Sequence, residues 1–247
     1  MTDVTALRDA DGTFASMREA FGVDNDAAWY LPFLCYLVRH EGKTVVVDTG
    51  VGPTTGDDPF LPERQGRLPD ELAHAGVDRT EVDLVVMTHL HVDHVGWNMV
   101  DGAPFFPNAR YVAHRADFDW ITAARPDRPY VRDNVLALAA SGAFELVDGP
   151  AELLPGVALR WTGGHTPGHC VVDAGDVTLL GDLAVHERQL ADPGLAYVAE
   201  EDPAAAAELR RQLLPGLAAS GRLLGFAHLG LGRVSPMRGG FAWLPAD

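Results

Sequence analysis

Residues 83–94 read DLVVMTHLHVDH, a short apolar run that stops at four potential metal ligands, His89, His91, Asp93 and His94. The run suits a strand buried on both faces. Alternate side chains of an extended backbone point the same way, so His89 and His91 share a face, about 7 Å apart. Adjacent imidazoles and a carboxylate compete for donors or repel unless a cation holds them, so the cluster predicts a metal site. Asp93 and His94 fall where the chain is expected to turn into a short helix. From there their side chains can reach back to the same cavity, where a second cation could sit.

Other apolar runs end in the same way. TVVV at 44–47 leads into Asp48-Thr49-Gly50, VTLL at 177–180 into Gly181-Asp182, and LLGF at 223–226 into Ala227-His228. The loop GGHTPGH at 163–169 adds His165 and His169. A layered sheet brings such tips to a common rim. Taken singly, each has a plainer reading: His228 as a hydrogen-bonded structural residue, Asp182 as a turn residue, His165 as the fastener of its own loop. Asp48 is expected to brace a loop or orient a ligand histidine without touching metal. Trp97, Phe105, Phe106 and Trp120 can line an apolar pocket or fill the core.

The remaining pattern is strands alternating with helices, which argues for one layered α/β unit over residues 1–247. Strands are expected at 32–39 and 44–47 as a hairpin, and at 83–88, 110–113, 144–147, 157–161, 170–172, 177–180 and 223–226. Helices are expected at 69–75, 116–123 and 131–140, and from Pro203 behind an Asp202 cap, with Pro215 kinking or shortening the last. The stretch from Asp48 to Gly66 is rich in Gly, Pro and Asp and reads as a loop over a site. TVVVDTG and VTLLGDL echo one another, as two related halves or chance would produce.

Composition narrows the functions. With 19 Lys+Arg against 35 Asp+Glu the net charge is −16, a surface that repels phosphate backbones and anionic lipid, so neither nucleic acid nor membrane is an expected partner. Two cysteines, Cys35 and Cys170, lie in apolar runs and read as buried free thiols. The first twenty residues carry Asp3, Asp9, Asp11 and Glu19 with no apolar stretch, so a cytoplasmic protein is expected, monomer or homodimer.

HxHxDH at 89–94, His169 in GHTPGH, Asp182 in LLGD and the late His228 together resemble the metallo-β-lactamase-fold hydrolases over roughly residues 30–235. The pattern is most similar to the dinuclear branch of quorum-quenching lactonases and methyl-parathion-hydrolase-like enzymes. The resemblance implies an α/β fold, a four-layer αββα sandwich with a dinuclear metal site at one edge of its two sheets. It implies that His89, His91 and His169 hold one ion, that Asp93, His94 and His228 hold the other, and that Asp182 bridges. Ligation by N and O alone suits two Zn2+ ions, with Fe2+, Mn2+ or Co2+ as alternatives. The implied chemistry is attack of metal-activated water on a small-molecule ester, lactone or thioester, with Asp93 and Asp182 as catalytic carboxylates and His186 as a helper. One departure stands out: lactonases of this family often carry a Tyr shortly after the bridging Asp, and here the stretch reads DLAVH. Phosphotriester hydrolysis is therefore an alternative, and a non-catalytic, metal-stapled binding protein a further one. Nucleic-acid processing and flavin-coupled di-iron chemistry, both found among relatives, are not expected, since the first calls for a basic surface and the second for a flavin domain.

Overall fold

The structure is a computed structural model that describes residues 2–14, 16–53 and 65–246. The loop expected up to Gly66 falls largely on 54–64, outside the described residues. In the N-terminal half, Thr2–Phe14 (β1) and Trp29–His40 (β2) flank the short helix Met17–Phe21 (α1). Lys43–Val47 (β3), Leu68–His74 (α2) and Leu84–Val86 (β4) follow. A small hairpin, Met99–Val100 (β5) with Ala103–Pro104 (β6), precedes Arg110–His114 (β7) and Arg115–Ala124 (α3). A wide helical turn, Val131–Leu136, then runs into Ala137–Ser141 (α4), and Phe144–Val147 (β8) closes the half.

The C-terminal half holds Ala151–Leu154 (β9), Val157–Trp161 (β10), Cys170–Ala174 (β11) and Val177–Leu179 (β12). Two helices, Glu187–Ala191 (α5) and Pro203–Ser220 (α6), separate these from Leu223–Phe226 (β13), Gly230–Met237 (β14) and Gly240–Pro245 (β15). The strands form a six-stranded sheet, β1-β2-β3-β4-β7-β8, and a seven-stranded sheet, β15-β14-β13-β12-β11-β10-β9.

Strand periodicity explains the layering. Tyr36, Val38, Val45, Val47, Leu84, Val86 and Val112 of the first sheet meet Leu159, Cys170, Val172, Ala174 and Leu179 of the second between the sheets. Their sequence neighbours Cys35, Leu37, Val46, Val85 and Tyr111 face outward against Leu68 and Leu72 of α2, Ile121 of α3 and Leu138 of α4. On the far side, Val171, Leu224, Phe226 and Val234 pack against Leu190 of α5 and Leu214 of α6. Two sheets face to face with helices on both outer surfaces make the four-layer αββα sandwich that the resemblance implied. Both faces of the central strands are apolar, so a one-residue slip in register would exchange their two cores.

The echo between the halves is topological as well. β2 and β3 pair antiparallel and β3 runs parallel to β4, while β11 and β12 pair antiparallel and β12 runs parallel to β13. The parallel pairs end on Asp48 with the His89 segment, and on Asp182 with His228, at one rim. The structure departs from the sequence reading in three ways. The chain after His91 makes turns, with no helix near His94. Pro215 does not shorten α6, which runs on to Ser220, because it sits on the exposed face, where water can satisfy the freed carbonyl. β1, β9, β14 and β15 were not foreseen. Among the described residues no helix is long and apolar enough to cross a membrane.

Candidate metal centre

β4 ends at Val86, and Asp48 fixes the segment beyond it. Its carboxylate accepts the Thr88 N–H at 2.7 Å and the Thr88 hydroxyl at 2.8 Å, and it lies 2.9 Å from His94 Nδ1. Asp48 holds a left-handed φ of 62°, a conformation that side chains other than glycine adopt rarely and that the bonds of its carboxylate hold in place here. A carboxylate can only accept, so His94 Nδ1 donates to Asp48, which turns Nε2 toward Asp93 and Asp182. His228 is set in the same way, Nδ1 donating to the Pro32 carbonyl at 2.8 Å. Asp48 thus braces the segment at Thr88 and orients His94 from behind.

Three nitrogens converge first. His91 Nδ1 is 3.1 Å from His89 Nε2 and 3.1 Å from His165 Nε2. Tetrahedral ligands around a zinc-sized ion stand about 3.3 Å apart, so the spacing fits one cation. A second trio is Asp93, His94 and His228, whose Asp93 Oδ2 lies 3.5 Å from both His94 Nε2 and His228 Nε2. Asp182 stands between. Its Oδ2 is 3.5 Å from His165 Nε2 and 3.9 Å from His89 Nε2, and its Oδ1 is 3.5 Å from His94 Nε2 and 3.3 Å from His228 Nε2. Each oxygen therefore faces one trio.

These groups are buried and incompletely partnered. His91 Nε2, His94 Nε2, His165 Nδ1 and Asp182 Oδ1 are enclosed without a hydrogen-bond partner, an arrangement that is costly for polar atoms unless a ligand completes it. Burial lowers the pKa of His89 and His165, with neighbouring imidazoles adding to the effect, and it brings His91 down to about 4. The first trio is therefore neutral, with lone pairs free for a cation. At His94 and His228 burial acts in the same direction but is outweighed by Asp182 and Asp93, joined at His94 by Asp48, and both are raised. Burial would raise Asp182, yet His228 and His94 hold it well below the usual carboxylate range. An acidic and imidazole donor set of this kind fits two divalent ions.

Two expected site residues, His169 and His186, stand outside the two trios. His169 is adjacent to the cluster but its ring is spent: Nε2 accepts the Asp182 N–H at 3.2 Å and Nδ1 is 2.8 Å from the Thr162 hydroxyl, which itself donates to the His169 carbonyl. His165 stands beside His89 and His91. His186 caps α5 by accepting the Arg188 N–H at 3.0 Å, and its ring packs against Phe21 and Trp29; none of these contacts belongs to the cluster.

A cavity of about 180 Å³ opens on the cluster at His91 and Asp93. Its apolar wall is Phe14, Leu31, Phe33, Tyr130 and Val198, not the aromatic residues singled out in sequence. Trp97, Phe105 and Phe106 are core residues, while Trp120 lies 5.8 Å from His91. Tyr197 was missed. It lies in a loop with no periodic signal, lines the cavity and faces His165 ring to ring at 6.4 Å and 11°. Burial, reinforced by Asp93 and Asp182, pushes its phenol well above the usual range, so it stays a proton donor.

Residues 32–214 match the metallo-beta-lactamase superfamily, and the chain belongs to that family. An N-acyl homoserine lactonase of a Bacillus species is 30% identical over 152 residues, and the N-acyl homoserine lactonase AiiB of Agrobacterium fabrum is 30% identical over 161 residues. Each match covers 56% of this chain and 56% of the relative, so the likeness spans little more than half the length of either lactonase. Among solved structures, AidC, a dizinc quorum-quenching lactonase in complex with a product, superposes with a TM-score of 0.83 at 21% identity, covering 100% of this chain and 95% of that one. The hydrolase AbOPH of the beta lactamase superfamily superposes with a TM-score of 0.85 at 21% identity, covering 100% and 94%. At that identity the structural likeness speaks for the fold.

Proposed function

We propose that this chain is a dinuclear metal-dependent hydrolase of small-molecule esters, lactones first among them, with Zn2+ as the resident ion. The observation that carries the reading is the pair of trios, His89-His91-His165 and Asp93-His94-His228, with one oxygen of Asp182 turned to each. The lactonase activity named for the curated relatives favours a lactone carbonyl over a phosphotriester.

Bound divalent cations would supply the positive charge that acidifies a water and polarises the carbonyl under attack. The chain supplies the rest. Asp182 holds the two trios in register. Asp93 belongs to a trio and also lines the cavity, so its carboxylate is placed to take the proton of the attacking water and return it to the leaving alkoxide. Tyr197 presents a protonated phenol to the same cavity and can donate to the carbonyl oxygen as charge develops there, in place of the Tyr absent from the DLAVH stretch. The apolar wall seats the acyl part and excludes water.

The test joins metal analysis to a panel of lactones, aryl esters, thioesters, β-lactams and phosphotriesters. We expect about two ions per chain and fastest turnover of a lactone, both lost together in His91→Ala and Asp182→Ala proteins that remain folded. Undiminished hydrolysis by chelator-treated protein would overturn the reading.

A further inference from the structure

Apart from its tyrosines, the cavity is lined by five charged or titratable groups, and four of them are already engaged. His91 and Asp93 belong to the metal centre. Arg125 is paired with Glu201 and stacks over the Trp120 ring at 5.2 Å. The fifth, Arg128, is half-buried on the cavity wall in the connection that follows α3, where its backbone N–H bonds to the Arg125 carbonyl at 3.2 Å. No hydrogen bond or ion pair engages its guanidinium among the described residues.

That is unusual in this chain. With 35 acidic residues to 19 basic ones, an arginine can readily find a carboxylate, and a partly desolvated cation without one is costly. A guanidinium offers a planar fork of donors matched to a carboxylate. The net charge of −16 repels anions at a distance, so any preference for an anion must arise at a local group of this kind.

We propose that Arg128 is an anion-recognition point in the substrate cavity, and that the favoured substrates are esters or lactones bearing a carboxylate on the acyl part, remote from the scissile carbonyl. The assignment of a hydrolysed substrate rests on the function proposed above. The recognition point itself rests on Arg128 and the cavity. The scissile group lies at the His91 and Asp93 end, the chain of the acyl part runs along Phe33 and Leu31, and the remote carboxylate meets Arg128.

The experiment compares para-nitrophenyl hexanoate with the mono-para-nitrophenyl ester of hexanedioic acid. Wild type should favour the anionic ester in kcat/KM by about tenfold or more, the size of one charge-assisted hydrogen bond, and Arg128→Gln should erase most of that ratio through KM. Arg238→Gln, an exposed arginine outside the cavity lining, controls for net charge and should keep the ratio. Retention of the ratio by Arg128→Gln, or a wild-type preference for the neutral ester, overturns the proposal. Calorimetry with hexanedioic acid monoamide and with hexanamide reads binding without turnover. If neither ester is cleaved yet the monoamide binds about tenfold more weakly to Arg128→Gln, the recognition point stands and the hydrolase reading falls. If both esters are cleaved at a ratio indifferent to Arg128, the reverse holds. If neither ester is cleaved and the monoamide binds both proteins alike, both fall.

Discussion

Asp117 accepts the Leu90 N–H at 2.6 Å through one carboxylate oxygen, while the other accepts the Gly168 N–H at 2.9 Å. One side chain on α3 thereby ties the segment between His89 and His91 to the loop that carries His165. Gly168 permits the contact, since a Cβ there would stand 2.2 Å from the Asp117 nitrogen. Burial raises the Asp117 pKa, and the bonds from Thr166, Gly168 and Leu90 only partly oppose it.

Removing that clamp should loosen the first trio without deleting a ligand. Asp117→Ala is expected to weaken metal binding about 10- to 100-fold, the usual effect of losing a group that orients ligands, and to lower stability by about 2–4 kcal/mol for two orphaned N–H groups. Asp117→Asn keeps one acceptor oxygen and should fall between. Chelator competition and urea denaturation measure the two effects. An Asp117→Ala protein with unchanged metal affinity would show that the two loops hold their places independently.

His165 and His169 separate cleanly by substitution. His165→Ala should lose about one ion per chain, because a trio with one nitrogen removed cannot close around a cation. His169→Gln keeps an acceptor for the Asp182 N–H and should retain both ions. Metal stoichiometry after gel filtration decides, and loss of an ion in His169→Gln with full occupancy in His165→Ala would restore the assignment implied by the sequence resemblance.

The contrast between these two histidines marks the limit of what the letters say. Continuous apolar runs in β2, β3, β4, β7 and β11 announce strands buried on both faces, and the crowded HLHVDH calls for a cation wherever it folds. In GGHTPGH, both histidines sit in a Gly/Pro turn four residues apart, and spacing does not say which ring reaches the rim. The answer depends on a distant partner: Cys170 N–H bonds to the Thr88 carbonyl at 2.8 Å, which draws the neighbouring His169 into the sheet edge and leaves His165 on the loop above. Tyr197 was illegible for the same reason, being a loop residue whose surroundings come from far along the chain. β1 hid because Arg8, Asp9, Asp11 and Gly12 break its alternation, and it is an edge strand with fewer apolar demands.

Glu200 and Arg210 form a pair sealed from solvent, and Glu200 also accepts from Gln189 Nε2 at 3.0 Å and from the Tyr197 N–H at 3.0 Å. The pair fixes the loop that brings Tyr197 to the cavity. Arg210→Met leaves a buried carboxylate without its cation and should cost about 3–5 kcal/mol. If Tyr197 acts as proposed, turnover should fall by more than metal content does. Denaturation midpoints, ion analysis and kcat on one preparation check this. A large stability loss with kcat unaltered would separate the loop from the chemistry.

Asp173 offers a pH test well away from the metal centre. Burial would raise its pKa, but Arg160, Thr178 and Arg222 outweigh it and hold the group below its ordinary 3.8. A carboxylate depressed in the folded state stabilises the fold above its unfolded pKa, and the contribution is lost as pH falls through the folded value. Asp173→Asn should therefore cost roughly 1–2 kcal/mol at neutral pH, the worth of a hydrogen bond to a charged group. The gap to wild type should stay level from neutrality to just above 3.8 and close as the pH is lowered further. Urea titrations of both proteins across that range read it directly. A gap that stayed constant into the acid, or widened, would mean that the Asp173 carboxylate is not held below its ordinary pKa in the fold.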